Sequence, residues 1–235
     1  MKQLFTFTLL IVSLSLFGQK KIVWFDVGLK AQYGGAGLYN QALADDSKYG
    51  YTIGSGYGYG GKLGINFGYN GLAIDVMKSH GTQTFKRTPK TVEWSSLDVY
   101  TLFRNAKNMG YFEIGPKFSF LDKVTLKEDN VTTDQPEANY NKNVVSGVVG
   151  FGANILGNDG RFSGILGLRF EYGFTDFDSK TGKDLGAPVN DPRVYADNGT
   201  AASHLAFAGV VFELNWGVGY FGKARCGARS KFIMF

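Results

Sequence analysis

One cysteine, two histidines and five prolines in 235 residues leave this chain short of the groups that most often announce chemistry. A single thiol excludes a disulfide framework and the Cys-based zinc sites, which need several thiolates. Two histidines leave little for imidazole metal chemistry. Charge is sparse at 19%, but hydrophobic residues make up 44%, so there is apolar surface to bury and the chain is not broadly disordered. Long apolar runs are missing beyond Phe17: no later stretch reaches the roughly 18 consecutive apolar residues of a helical membrane span. What the chain has in quantity is glycine, 33 residues, and aromatic side chains at 15%.

The chain opens on Met1-Lys2, runs apolar from Leu4 to Phe17 with only Thr and Ser between, and turns polar after Gly18 at Gln19-Lys20-Lys21. That is the layout of a secretory signal peptide over residues 1–18, cleaved after Gly18. About fourteen apolar residues are too few for a membrane anchor. No cysteine stands near the cleavage point, which excludes a lipoprotein anchor. The expectation is an exported chain with a body over residues 19–221 and a tail over 222–235.

In the body the hydrophobic period is two, the signature of strands whose side chains alternate between faces. Tyr57, Tyr59, Leu63, Ile65 and Phe67 alternate with Gly58, Gly60, Lys62, Gly64 and Asn66. Phe112, Ile114, Phe118 and Phe120 alternate with Glu113, Gly115, Lys117 and Ser119. The same alternation runs through segments beginning near Val23, Leu72, Leu97, Val145, Phe162 and Ala208, eight in all and about 10–14 residues each. A tilted strand needs about 9–11 residues to cross a bilayer, whereas strands of soluble proteins average about five or six. Connections alternate as well. Asn70-Gly71, Asn105–Met109 and Gly157–Gly160 read as short turns, and 33–55, 79–93, 122–142 and 176–203 as long polar loops. Aromatics gather near segment ends, at Tyr57, Tyr59, Tyr69, Phe103, Phe120, Phe174, Trp216 and Tyr220, as an interfacial girdle does. The expected fold is all-β: an eight-stranded antiparallel up-and-down transmembrane β-barrel of the outer membrane, with its long loops outside the cell.

Two segments, Tyr111-Phe-Glu-Ile-Gly-Pro-Lys-Phe-Ser-Phe-Leu121 and Arg169-Phe-Glu-Tyr-Gly-Phe-Thr-Asp176, resemble the outer-membrane β-barrel domain family, the small barrels akin to outer-membrane protein X. The resemblance spans almost the whole body. It implies the fold and leaves the function open, since members of that family serve many purposes.

Eight strands enclose a bore that side chains can fill. The polar parity places Asp26, Asp75, Asp98, Glu113, Glu171 and Glu213 inside with Lys30, Lys62, Lys117 and Arg169, an expected salt-bridge network that plugs the lumen. The inward glycines make room for these long side chains.

Catalytic signals are thin. Ser79-His80 and Ser203-His204 fall near the outer rim, but sequence neighbours on a strand face opposite ways. The run Gly54-Ser-Gly-Tyr-Gly-Tyr-Gly-Gly61 alternates as a strand with no helix after it, unlike a nucleotide loop. Asp122, Glu128, Asp129, Asp134 and Glu137 lack the ordered spacing of a calcium loop and read as a solvated segment. No catalytic group, metal or cofactor is assigned.

The loops carry Tyr33, Tyr39, Tyr49, Tyr51, Tyr140 and Tyr195 as aromatic contact surface. The tail carries the charge. Removing Lys2 with the leader lowers the net +5 to +4, and Lys223, Arg225, Arg229 and Lys231 account for all of it. With Phe235 these residues form a candidate docking peptide on the periplasmic side, the alternative being a frayed tail. Cys226 is a lone thiol in an oxidising compartment. Outer-membrane lipid and other envelope proteins are the expected partners, and nucleic acid is not. The leading expectation is a non-catalytic structural or accessory subunit of an outer-membrane secretion, assembly or uptake complex. A stand-alone adhesin or envelope-stabilising barrel comes second and a lipid A-modifying enzyme third.

Overall fold

The computed structural model describes residues 23–45, 47, 49–50, 52–107, 109–129, 131–157, 161–191, 202–222 and 231–234. The leader over residues 1–18 lies outside them. One antiparallel sheet holds ten strands: β1 (Val23–Tyr39), β2 (Gly54–Phe67), β3 (Asn70–Phe85), β4 (Lys90–Lys107), β5 (Gly110–Glu128), β6 (Val131–Asp134), β7 (Asn143–Leu156), β8 (Phe162–Gly173), β9 (His204–Gly222) and β10 (Lys231–Met234). Eight of them form a ring in the order β1-β2-β3-β4-β5-β7-β8-β9, and β9 pairs back onto β1 from Val23↔Phe221 to Tyr39↔His204. Two one-turn helices, α1 (Gln41–Asp45) and α2 (Lys180–Asp184), and a 3-10 turn at Glu137–Asn139 sit in the loops.

Alternation decides the two faces of the wall. Val27, Leu29, Leu63, Ile65, Leu72, Ile74, Phe112, Ile114, Phe151, Leu168, Phe170 and Val210 point outward and are exposed, while Asp26, Lys30, Lys62, Asp75, Glu113, Arg169 and Glu213 point inward and are buried. The usual soluble arrangement is inverted: apolar residues face out and charges face in.

The strands are longer than the alternation suggests, up to 19 residues in β5 and β9. The expected loop at 79–93 is mostly strand, since β3 runs to Phe85, β4 starts at Lys90 and the two pair from Thr82↔Glu93 to Phe85↔Lys90. Its outward face is polar there (Lys78, His80, Thr82, Thr84), so the hydrophobic signal stops while the hydrogen-bond ladder continues. On β5 the break is a bulge. Ser96 pairs with Leu121 and Ser95 with Lys123, which leaves Asp122 unpaired and moves the inward parity from Ser119 to Val124 and Leu126. The first turn is also displaced: Phe67 pairs with Asn70, so Gly68-Tyr69 makes the turn rather than Asn70-Gly71. Gly68 has φ +66°, the left-handed value that primed hairpin turns demand.

The long-loop end is packed. Leu38, Phe85, Val92, Trp94, Val124, Leu126, Val144 and Leu205 on strand extensions meet Leu43, Tyr49, Tyr140, Phe177, Ala187 and Val189 from the loops in one apolar core. Phe177 lies edge-on to Trp94 at 6.0 Å and against Tyr140 at 4.9 Å between centroids. The loops therefore fold inward as a cap over the ring. Tyr49 and Tyr140, expected as contact surface, are buried in that core at 2% and 5% exposure. Tyr33 and Tyr39 are exposed on β1, and Tyr51 and Tyr195 lie outside the described residues.

Candidate functional site

All ten inward charges expected from the parity are buried in the bore. The structure adds an eleventh, Arg104, whose parity follows from Asp98, Tyr100 and Leu102. Its place beside Asn105, which reads as the start of a turn, hides it from an alternation whose last apolar residue is Phe103.

The charges divide into two tiers. The lower tier is a closed set of four acids and four bases. Lys30 bonds Asp75 at 2.5 Å and Glu213 at 3.0 Å. Lys62 bonds Glu213 at 2.8 Å and Asp26 at 3.4 Å. Arg104 forks to Glu213 at 2.6 Å and Glu113 at 2.7 Å. Arg169 reaches Glu113 at 2.7 Å and Asp75 at 3.2 Å. Burial of so many ions is tolerable only because each meets opposite charge. Glycine on neighbouring strands lets them fit: a Cβ on Gly150 would lie 2.8 Å from the Glu113 side chain.

Tyr100 and Gln32 bound this tier from above. The Tyr100 ring stacks against the Arg169 guanidinium at 4.7 Å, its hydroxyl donates to Glu171 at 3.0 Å, and Gln32 bridges Arg169 (3.2 Å) and Tyr100 (3.3 Å). The upper tier is smaller. Lys117 bonds Glu171 closely and lies 3.5 Å from Asp98, while Ser96 donates to Asp98 Oδ1 at 2.8 Å. Above it is a cavity of about 40 Å³ lined by Ser79, Ser96, Asp98, Ser119, Glu171 and Trp94 among others.

A second polar cluster lies inside the cap. Ser203 donates to Asp178 at 2.5 Å and accepts from Asn40 at 2.9 Å, tying the first and last long loops together. Asp176 Oδ1 accepts from the backbone N–H groups of Asp178 (3.1 Å) and Ser203 (3.0 Å), and its other oxygen pairs with Lys183. Tyr49 donates to Asp191 at 2.7 Å. Burial pushes the Asp178 carboxyl up to about 7. The Ser203 hydroxyl opposes that rise, neighbouring Asp176 adds to it and Lys183 opposes it.

The serine–histidine pairs do not make dyads. Ser203 bonds Asp178, and its neighbour His204 stacks on Tyr172 at 5.4 Å. His80 faces Tyr57 at 5.3 Å, on a strand that is no neighbour of β9 in the ring. Four of the five acids of the 122–142 segment are engaged one by one, Asp122 with Lys78, Glu128 with Lys90, Asp134 with Lys123 and Glu137 with Lys142, while Asp129 makes the turn after β5 with φ +47°.

In the tail, Lys223, Arg225, Cys226, Arg229 and Phe235 lie outside the described residues. Lys231 opens β10, which folds back antiparallel onto β9 from Lys231↔Gly222 to Met234↔Gly219. It takes an edge that β8 leaves empty, because β8 pairs with β9 only as far as Phe162↔Trp216. Phe232 closes an aromatic cluster with Phe221 (5.2 Å) and Phe25 (5.9 Å).

No family model and no curated protein matches the chain. Among solved structures, the ring is similar to Neisserial surface protein A (NspA), 8% identical, with 82% of this chain and 96% of that one covered at a TM-score of 0.44. It is also similar to the translocator domain of the autotransporter NalP from Neisseria meningitidis, 11% identical, with 92% and 95% covered at a TM-score of 0.26.

Proposed function

We propose that the chain is a non-conducting, non-catalytic outer-membrane barrel that displays a folded cap at the cell surface for recognition. The observation that carries this reading is the inverted ring. Its outward face is a continuous band of exposed aliphatic and aromatic side chains far beyond the few hundred Å² a soluble monomer leaves in contact with water. Its inward face is charged and filled. Lipid is the solvent that suits such a wall, and a ring without edges satisfies its own backbone there. At the long-loop end the outward chemistry changes from Val76, Leu97 and Phe120 to Lys78, Ser95 and Asp122, as expected where strands leave the hydrocarbon. The cap above that line is where a partner would make contact, since binding residues concentrate on loops held by a rigid scaffold.

The test compares cells displaying the intact chain with cells displaying a variant whose residues 40–53 and 174–203 are replaced by short turns. Both proteins are expected in the carbonate-resistant membrane fraction, with gel mobility that changes on boiling. Adhesion to surfaces or to other cells is expected from the first alone. Equal adhesion would move recognition elsewhere, and recovery in the periplasmic fraction would remove the membrane reading.

The second reading, an accessory subunit of an envelope complex, has one observation in its favour. β10 returns the chain end to the β9 edge, so the basic stretch between Gly222 and Lys231 starts and finishes at the short-turn rim, where an acidic partner or anionic headgroups would meet it. A complex that survives mild detergent and is lost when residues 223–235 are deleted would favour this reading.

A further inference from the structure

The outward face of the ring is not uniform at the long-loop end. Rings close the outer ends of β1, β2 and β8, at Tyr33, Tyr39, Tyr57, Tyr172 and, one residue past β8, Phe174, all exposed. On β3 and β5 this end carries lysine instead: Lys78, Lys123 and Lys127, with side chains 42%, 57% and 44% exposed. Among the described residues, no other ring strand places a lysine or arginine on its outward face there.

The lysines begin in the last apolar row. Lys78 lies directly across the ladder from Leu97, and Leu97 from Phe120. The next row is His80, Ser95 and Lys123, followed by Thr82, Glu93 and Thr125. His80, Glu93, Ser95, Lys123, Thr125 and Lys127 border an open cleft of about 410 Å³ on this face. Lys78 spans β4 to reach Asp122, the residue before Lys123, so two lysines converge where the apolar band ends. Each lysine has a carboxylate neighbour, Asp122 for Lys78, Asp134 at 3.1 Å for Lys123 and Glu93 at 2.7 Å for Lys127. Half-exposed pairs of this kind contribute little, so a phosphate that meets two ammonium groups can take the place of the exposed acids.

We propose that this face seats the phosphorylated sugar headgroup of an outer-leaflet glycolipid, its phosphate between Lys78 and Lys123 and its hydroxyl groups against Glu93, Ser95 and Thr125. The inference rests on the reading of the ring as an outer-membrane barrel with its cap outside. Level selects a lipid over a soluble anion. The strip continues the band of Val76, Leu97 and Phe120, and a lysine rooted in an apolar row lays its stem on the wall and lifts its ammonium into the headgroup layer. Charge selects phosphate, since charge-assisted bonds from two lysines meet at one point. The acids and hydroxyls between the lysines select a sugar: Glu93 accepts, and Ser95 and Thr125 donate and accept. A phosphate ester without hydroxyl groups would leave those positions unused.

The full chain, folded in a neutral detergent, is titrated with diphosphorylated lipid A and with the dephosphorylated glycolipid, and bound lipid is counted by native mass spectrometry. The intact chain should hold the phosphorylated lipid about tenfold or more tighter than the dephosphorylated one. Lys78→Gln combined with Lys123→Gln should erase that preference, while Lys107→Gln, exposed at the short-turn rim, should leave it. Because these side chains are exposed, the boiling-sensitive gel shift should persist in every variant. A preference that survives the double substitution, equal binding of both lipids, or dimers in place of bound lipid overturns the proposal. Displacement of the lipid by millimolar inorganic phosphate overturns it as well, by making the strip a site for a free anion. A chain that binds no lipid and shows no gel shift would bring down the membrane reading and the proposal with it.

Discussion

Glu213 meets three cations of the lower tier, Arg104 at 2.6 Å, Lys62 at 2.8 Å and Lys30 at 3.0 Å. Glu213→Gln keeps its shape and removes the charge, leaving three cations to compete for the remaining acids. Losing one partner of a buried network costs about 3–5 kcal/mol, whereas an exposed pair contributes about 0–1. The unfolding midpoint in urea should therefore fall sharply for Glu213→Gln and hardly move for Glu137→Gln, whose partner Lys142 is mostly exposed. These interior residues were the most legible part of the chain, because a charge at every second position among glycines has one sensible direction to point. The grouping of Ser79, Ser96 and Ser119 around Asp98 was not legible. A serine on an inward parity is unremarkable until the register sets Ser119 opposite Asp98. Asp178 was equally hidden, and its elevated carboxyl gives the cap a pH dependence. An aspartate held near 7 binds its proton in the folded cap where the unfolded chain has already released it, so stability is greatest below the ordinary aspartate range and is lost as pH rises through about 7. The slope is at most about 1.4 kcal/mol per pH unit. Protease resistance of the cap should thus be higher at pH 5 than at pH 8, and Asp178→Asn should flatten that difference; an equal slope in the variant would assign the effect to other groups.

At the scale of elements, the ring and the cap rest on different forces. The ring is held by ladders that close on themselves, and the cap by one apolar core between loops and strand ends. Phe177 is fully buried at the centre of that core, in contact with Trp94 and Tyr140. Phe177→Ala should cost the cap about 3–5 kcal/mol, the usual range for emptying a buried phenylalanine site. Local opening of the cap is expected to raise hydrogen exchange and protease cleavage in residues 174–191 while the boiling-sensitive gel shift of the ring persists. Loss of the shift together with the cap would show that the two fold as one. The eight strands of the ring were readable because a period of two survives any loop. Their outer ends were not. On β3 both faces turn polar before Phe85, and on β5 the bulge at Asp122 reverses the parity, so an unbroken strand reads as the start of a loop. The cap was hidden for a related reason. Its apolar residues, Leu43, Tyr49, Tyr140, Phe177 and Val189, are scattered singly among polar ones and carry no period. The short return strand β10 was equally silent, its four residues being intelligible only beside the edge that β8 vacates.

For the whole molecule, the two closures lie in series along one axis. The cap fills the long-loop end with apolar side chains, and the charge tiers fill the bore beneath it with ion pairs. Neither depends on the other for its contacts: the lower tier bonds only to ring strands, and the cap core takes its wall residues from strand ends above that tier. Removing the cap should therefore not open a conduit. In planar bilayers at neutral pH, the intact chain and the variant lacking residues 40–53 and 174–203 are both expected to show no step conductance, since an ion entering the bore would have to displace Arg104, Lys30 and Arg169 from acids within about 3 Å of them. Steps in the cap-deleted protein alone would make the cap a gate and the network permeable. Steps in both would mean that the ion pairs seen in the bore do not hold in the bilayer, and recognition would then have to compete with transport as the task of this fold.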